Sequence, residues 1–297
     1  MASPVVLGTG VAGVLCLALG VVVAGKEVAA APGLDKLTAL ACAFFAAPLA
    51  AFGAEHLTDA ADIAQIIPPW MPARLFWAYF VGVALIAAGL SISLKRSMRL
   101  SGSLTALMFF LFVAMMHIPG VVADPRNRIS WAIAFRDLSF GSGALALAGA
   151  MSPRSSANRG NAAITVARIF LGAVMIVFGV EHFLHPTSAI GVPLKQALPA
   201  WLPLPHLWAY ISGTVLLIAG IAVLINRYTR EAAVWAGLVV MLITLFLYVP
   251  NLAMARGDQA ILEGINFVFD TMLYAGAILL LAMATSPNFR QGRLTRA

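Results

Sequence analysis

Phe52-Gly53-Ala54-Glu55-His56 recurs as Phe178-Gly179-Val180-Glu181-His182, and this pair decides how the chain is read. Working outward from it, further matches appear in the same order. Pro69-Trp70-Met71-Pro72 returns as Ala200-Trp201-Leu202-Pro203, and Trp77-Ala78-Tyr79 as Trp208-Ala209-Tyr210. Gly82 and Gly89 match Gly213 and Gly220, Arg96 and Arg99 match Arg227 and Arg230, Pro119 matches Pro250, and Asp137 matches Asp270. The offset is 126 before the first loop, 131 from there to Pro119 and Pro250, and 133 at Asp137 and Asp270, so the second copy carries five extra residues in that loop and two more before the matched aspartates. Chance does not produce so many ordered matches; one structural unit is used twice.

The unit is a membrane unit. The 297 residues are 61% hydrophobic and 10% charged, with mean hydropathy +0.93. Soluble domains carry about 25% charged residues, so this chain lacks the polar surface to cover a water-soluble globule. Apolar runs of about 20 residues, the length that crosses a hydrocarbon core of about 30 Å, recur along it. They predict nine helices, at 5–24, 37–57, 74–94, 102–122, 130–150, 162–184, 206–226, 232–250 and 261–284. The fold class is therefore all-α: a polytopic transmembrane helical protein with two parallel four-helix bundle repeats and one extra N-terminal helix. The expected divisions are that helix (1–33), the first repeat (34–153), a cytoplasmic linker (154–161), the second repeat (162–286) and a cytoplasmic tail (287–297). Four helices per copy is an even number, so both copies cross in the same sense, unlike the inverted repeats of many transporters. Val5 to Ala24 reads as a spanning helix and not a signal peptide, because Met1-Ala2-Ser3-Pro4 carries no positive charge.

Loop charges predict orientation. If nine helices alternate, Lys26, Lys36, Lys95, Arg96, Arg99, Arg154, Arg159, Arg227, Arg230, Arg290, Arg293 and Arg296 share one side. Arg74, Arg126, Arg128, Lys195 and Arg256 share the other. Positive residues mark the cytoplasmic side, so the N-terminus is expected outside and the C-terminus in the cytoplasm. The net charge of +7 is thus spent in short loops, and no nucleic-acid motif accompanies it. Cys16 and Cys42 lie in apolar runs and form no CxxC, which argues against thioredoxin-like or cysteine-ligated metal chemistry.

Intramembrane polar residues are the candidate site, because they are expensive in lipid and face a partner or a cavity. Glu55-His56 and Glu181-His182 end the first helix of each repeat; they read either as proton-transfer or headgroup-binding groups or as anchors for the helix end. Asp137 and Asp270 lie deeper in the last helix of each repeat. Arg136 precedes Asp137, so the first copy supplies its own cation while the second must find another. Glu263, Asn266 and Asp270 share one helical face, expected to line a polar cavity or a helix seam. His117 and its counterpart Tyr248 are each able to bond a carboxylate, which predicts a Glu–His/Tyr–Asp cluster at the outer end of each bundle. A b-type haem on His56 and His117 is disfavoured by Tyr248 in the second copy, and a metal site from Glu55, His56, His117 and Asp137 rests on ligand number alone. No metal is expected and no cofactor is indicated. The Pro-Trp segments cannot be regular helix; they read as interfacial turns or as a gating lid. Segment 184–200 is long enough for a short interfacial helix, from which Lys195 would reach headgroups.

In the second copy Arg168, Gly172, Phe178-Gly179, Glu181-His182-Phe183 and Pro186, followed by a Pro-rich loop, resemble the DoxX-like family of small four-helix membrane proteins. The first copy enters the resemblance through the repeat and departs from it where Cys42 replaces Arg168 and Ala46 replaces Gly172. Arg168 is accordingly a candidate counter-charge to a neighbouring acid. The resemblance implies an integral membrane subunit or accessory protein of a redox or quinone-linked system, and the expected location is the bacterial cytoplasmic membrane. The partners it implies are the lipid bilayer, a quinone or lipid ligand, and a membrane or periplasmic protein. Two other readings stand beside it: a small-molecule or lipid transporter using the intramembrane acids, and a structural subunit of a larger complex.

Overall fold

The structure is a computed structural model that describes residues 3–153, 157–194 and 198–286. The tail expected at 287–297, Arg154 of the linker and Lys195 lie outside the described residues. Among the described residues the chain is helical, with no strand. It begins with α1 (Pro4–Ala30), whose N-cap Ser3 accepts from the Val6 N–H and whose first helical residue is proline, a preorganised start. The first copy follows as α2 (Asp35–Thr58), α3 (Ala60–Ile66), α4 (Arg74–Ser93), α5 (Met98–Phe112), α6 (Ile118–Ala123) and α7 (Arg128–Ala150). The second copy is α8 (Ala157–Leu184), α9 (Pro205–Leu224), α10 (Thr229–Ile243), α11 (Val249–Met254) and α12 (Asp258–Thr285).

Eight helical stretches are long and apolar enough to cross a membrane. The ninth, α7, has 23 residues, about 34 Å at 1.5 Å each, and runs along α5 and α8. Arg128, Arg136, Asp137 and several Ser and Gly residues dilute its apolarity, and most of its inner half is buried by other helices and shielded from lipid. The chain is a polytopic helical membrane protein. The short α3 is an element that the sequence reading leaves as loop; Ala60 and Ile67 bury against Ala78 of α4.

The repeat is written into the backbone. The non-glycine residues with left-handed φ fall in pairs 131 positions apart: Ala73 and Leu204, Lys95 and Asn226, Ser97 and Tyr228. Both copies also widen into one π-helical turn, Val113–His117 and Thr244–Tyr248, between the third long helix and its short continuation. The cause is Pro119 and Pro250. Proline has no N–H and its ring clashes with the carbonyl four residues back, which lies inside the widened turn. Gly82 and Gly213 allow close packing of the second helix on the first. A Cβ on either would sit 3.0 and 2.9 Å from the carbonyl oxygens of Gly53 and Gly179.

The two four-helix repeats interlock. The first helix of each copy packs along the last helix of the other, α2 on α12 and α8 on α7, and α7 meets α12 at the centre. The outer helices α4, α5, α9 and α10 lean on this central group. The extra helix α1 lies along α2 and touches α4 and α12. Ion pairs close the end opposite the N-terminus: Lys95 with Glu27, and Arg230 of the second copy with Asp35 of the first.

Candidate functional site

Interlocking puts side chains from different copies in contact, and this changes the site predicted from the sequence. Arg136 of α7 bonds Asp137 through Nε (3.1 Å) and Asp270 of α12 through Nη1 (2.9 Å). The missing cation of the second copy is thus the first copy's own arginine. His117 Nε2 lies 2.8 Å from the other oxygen of Asp137. The result is one chain, His117–Asp137–Arg136–Asp270, that crosses from one copy to the other. The face of Phe140 lies 5.8 Å from the guanidinium carbon, a cation–π contact. Both aspartates are buried, so the shared guanidinium meets the requirement that charges out of water be paired.

Of the cluster expected within each copy, the His117–Asp137 contact forms in the first, while the glutamates and Tyr248 bond elsewhere. Glu55 accepts from the Asn266 side chain of the other copy (3.0 Å). Glu181 pairs with Arg128 of the other copy (2.9 Å). Tyr248 is turned away from Asp270 and donates to the Ile190 carbonyl (2.6 Å). Among the described residues Arg168 meets no acid: it donates to the Val223 and Leu224 carbonyls, both at 2.7 Å, and so satisfies acceptors at the end of α9. His56 and His182 each use Nδ1 on the carbonyl four residues back, Phe52 and Phe178. Among the described residues no group of three or more His, Cys, Asp and Glu side chains is arranged to hold a metal ion.

The two loops that follow these histidines differ. In the second copy, residues 185–194 are irregular and turn inward: Ala189, Ile190 and Val192 are buried. Among the described residues no interfacial helix forms there, and contacts from three other segments hold the backbone inside. The Gly191 N–H donates to His182 Nε2 (2.8 Å), and Arg128 donates to the Pro193 carbonyl (2.9 Å). Gly191 has φ +95, a left-handed conformation suited to glycine. Irregular backbone at membrane depth is tolerated only where protein buries and satisfies it. Removing the Tyr248 hydroxyl leaves the Ile190 carbonyl without its buried donor. Tyr248→Phe is therefore expected to cost about 1–3 kcal/mol, read as a lowered midpoint in a denaturant titration in detergent. An unchanged midpoint would show that the hydroxyl does not hold the loop.

A cleft of about 380 Å³ opens beside this loop, at the end where α12 begins. Its polar lining is Gln259, Glu263, Asn266 and Asp270 of α12, with Arg136. Those four α12 positions form one stripe, about 16 Å long at 1.5 Å per residue, from exposed Gln259 and Glu263 down to buried Asp270. Leu194, Leu262 and Phe267 supply the apolar lining. The shared face Glu263, Asn266, Asp270 thus lines a cavity, and Asn266 also forms a seam with Glu55. The Pro-Trp segments do not line the cleft; Trp70 and Trp201 are exposed. Among the described residues Arg136 Nη2 makes no hydrogen bond, so the cleft presents a charged donor above a carboxylate.

Sequence reasoning missed Arg128 and the inward loop. Arg128 counts there as a loop charge, yet it starts α7, where the helix dipole disfavours a cation. That misfit is the signal that an acid, here Glu181, recruits it.

Fold and site together define a polytopic helical membrane protein with a polar cleft at the junction of two interlocked repeats. The chain belongs to the family described as Domain of unknown function (DUF8561), which matches residues 45–136 and 171–273, one segment in each copy. No curated protein and no solved structure matches it.

Proposed function

We propose that this protein is an integral membrane accessory subunit of a quinone-linked redox system, and that the Arg136–Asp270 cleft binds the polar head of a quinone or lipid. The observation that carries the reading is the cleft itself: a charged donor and a carboxylate at its floor, apolar side chains around it, and an open mouth. A carbonyl or hydroxyl head would bond Arg136 while its chain lies on Leu194, Leu262 and Phe267. The DoxX-like resemblance of the second copy, carried by Arg168, Gly172, Glu181 and His182, supports the redox setting. The loop charges support an N-terminus outside and placement in a bacterial cytoplasmic membrane, with the cleft facing outward.

The transport reading is weaker because it expects a cavity at both acid clusters, whereas Glu181 is packed against Arg128 and the inward loop. The test is extraction of the purified protein for quinone, followed by titration with a short-chain quinone in nanodiscs. Saturable binding is expected, weakened about tenfold in Asp270→Asn, the loss of one hydrogen bond to a charged group. A preparation with no quinone or lipid bound and no saturable titration overturns the reading.

A further inference from the structure

A second cavity, of about 550 Å³, lies at the opposite end of the molecule, between the start of α5 and the end of α7. Its polar lining is Lys95, Arg99, Ser97 and Ser103; Met98 and Met151 are apolar lining. Leu100 also lines it, and from there Leu100, Leu104, Leu107 and Leu111 run up α5 as one exposed apolar stripe at spacings of four, three and four. A basic pocket that opens onto an apolar track is the shape of a phospholipid: phosphate at the pocket, acyl chain along the leucines.

The two copies differ here in a way that orientation signals do not require. In the second copy the counterpart of Arg99 is Arg230, which is neutralised by Asp35, and Lys95 is replaced by Asn226. In the first copy Lys95 is held by Glu27, but among the described residues the Arg96 and Arg99 side chains pair with no carboxylate, so Arg99 keeps unmatched positive charge in the cavity lining, with Arg96 three residues before it. Basic pockets between spanning helices bind anionic headgroups, at about fivefold in affinity per cation near the surface.

We propose that the Lys95–Arg99 pocket is a site for an anionic phospholipid, with the acyl chain on the Leu100–Leu111 stripe. The site is separate from the Arg136 cleft and does not depend on the function proposed there. The experiment uses the full chain in neutral detergent, titrated with dioleoyl phosphatidylglycerol or dioleoyl phosphatidylcholine and read by native mass spectrometry. Phosphatidylglycerol is expected to bind more tightly. That preference falls about fivefold in each of Arg96→Gln and Arg99→Gln, survives in Arg99→Lys, and is unchanged in Arg227→Gln, the second-copy counterpart of Arg96. Equal binding of the two lipids overturns the proposal, as does an undiminished preference in both glutamine variants. Displacement of the lipid by inorganic phosphate alone also overturns it, since that marks a free-phosphate site with no use for the leucine stripe.

Discussion

Arg136→Met is expected to destabilise the protein by about 3–5 kcal/mol, the usual cost of removing one partner of a buried charge pair. Arg136 is the one guanidinium that both Asp137 and Asp270 bond. Without it, two buried carboxylates face each other across the α7–α12 contact, and only His117 remains bonded to one of them. The loss should appear as a lowered midpoint in reversible denaturant unfolding in mixed micelles. The companion variant Arg136→Met/Asp137→Asn/Asp270→Asn removes the stranded charges along with the arginine, and it should recover most of the lost stability. A single mutant as stable as the wild type would mean that the carboxylates do not depend on Arg136. A triple mutant no better than the single would assign the loss to packing over Phe140 in place of charge.

Gly276→Val is the second large effect, and its cause is steric. A Cβ at Gly276 would lie 2.7 Å from the Phe45 nitrogen and 2.9 Å from the Phe44 carbonyl carbon. These are backbone atoms of α2, so no side-chain rotation relieves the contact; α2 and α12 must separate. Overpacking of this kind costs about 1–3 kcal/mol and more where nothing yields. The same titration should show the loss, together with faster proteolysis of the loops. Gly25→Ala is the control. A Cβ there meets nothing within 4 Å, and alanine is favoured over glycine in a helix, so stability should hold or rise. If Gly276→Val behaves like Gly25→Ala, the close crossing of α2 and α12 is wrong.

What the sequence made legible follows from local rules. Span length, the paired Gly82 and Gly213, and the acids in lipid are each set by the bilayer or by a nearby turn of helix; all nine long helices are readable, most ends to within a few residues, though α1 runs on to Ala30 and α8 starts at Ala157, beyond the expected 24 and 162. The partners of the acids are not. Glu55 and Asn266 are 211 positions apart, and Arg136 and Asp270 are 134 apart. A repeat predicts that two copies have the same shape, and that alone does not say which copy's helix lies against which. Placing Asp137 with Glu55 assumed that each copy closes on itself. The inward loop at 185–194 was hidden for a related reason: its backbone is held by Arg128, His182 and Tyr248, which belong to three separate helices.

The interlocked order of the helices also governs how the protein is made. Helices emerge from the ribosome in sequence, and α2 enters the bilayer long before α12, the helix it packs against, has been synthesised. The apolar core of α12 is enclosed on all sides by earlier helices. The first copy must therefore wait in the membrane with its central seam unfilled, Asp137 already beside Arg136 and the second valence of that arginine open. Insertion of α12 closes the seam and supplies Asp270, so the core is complete only once that helix arrives.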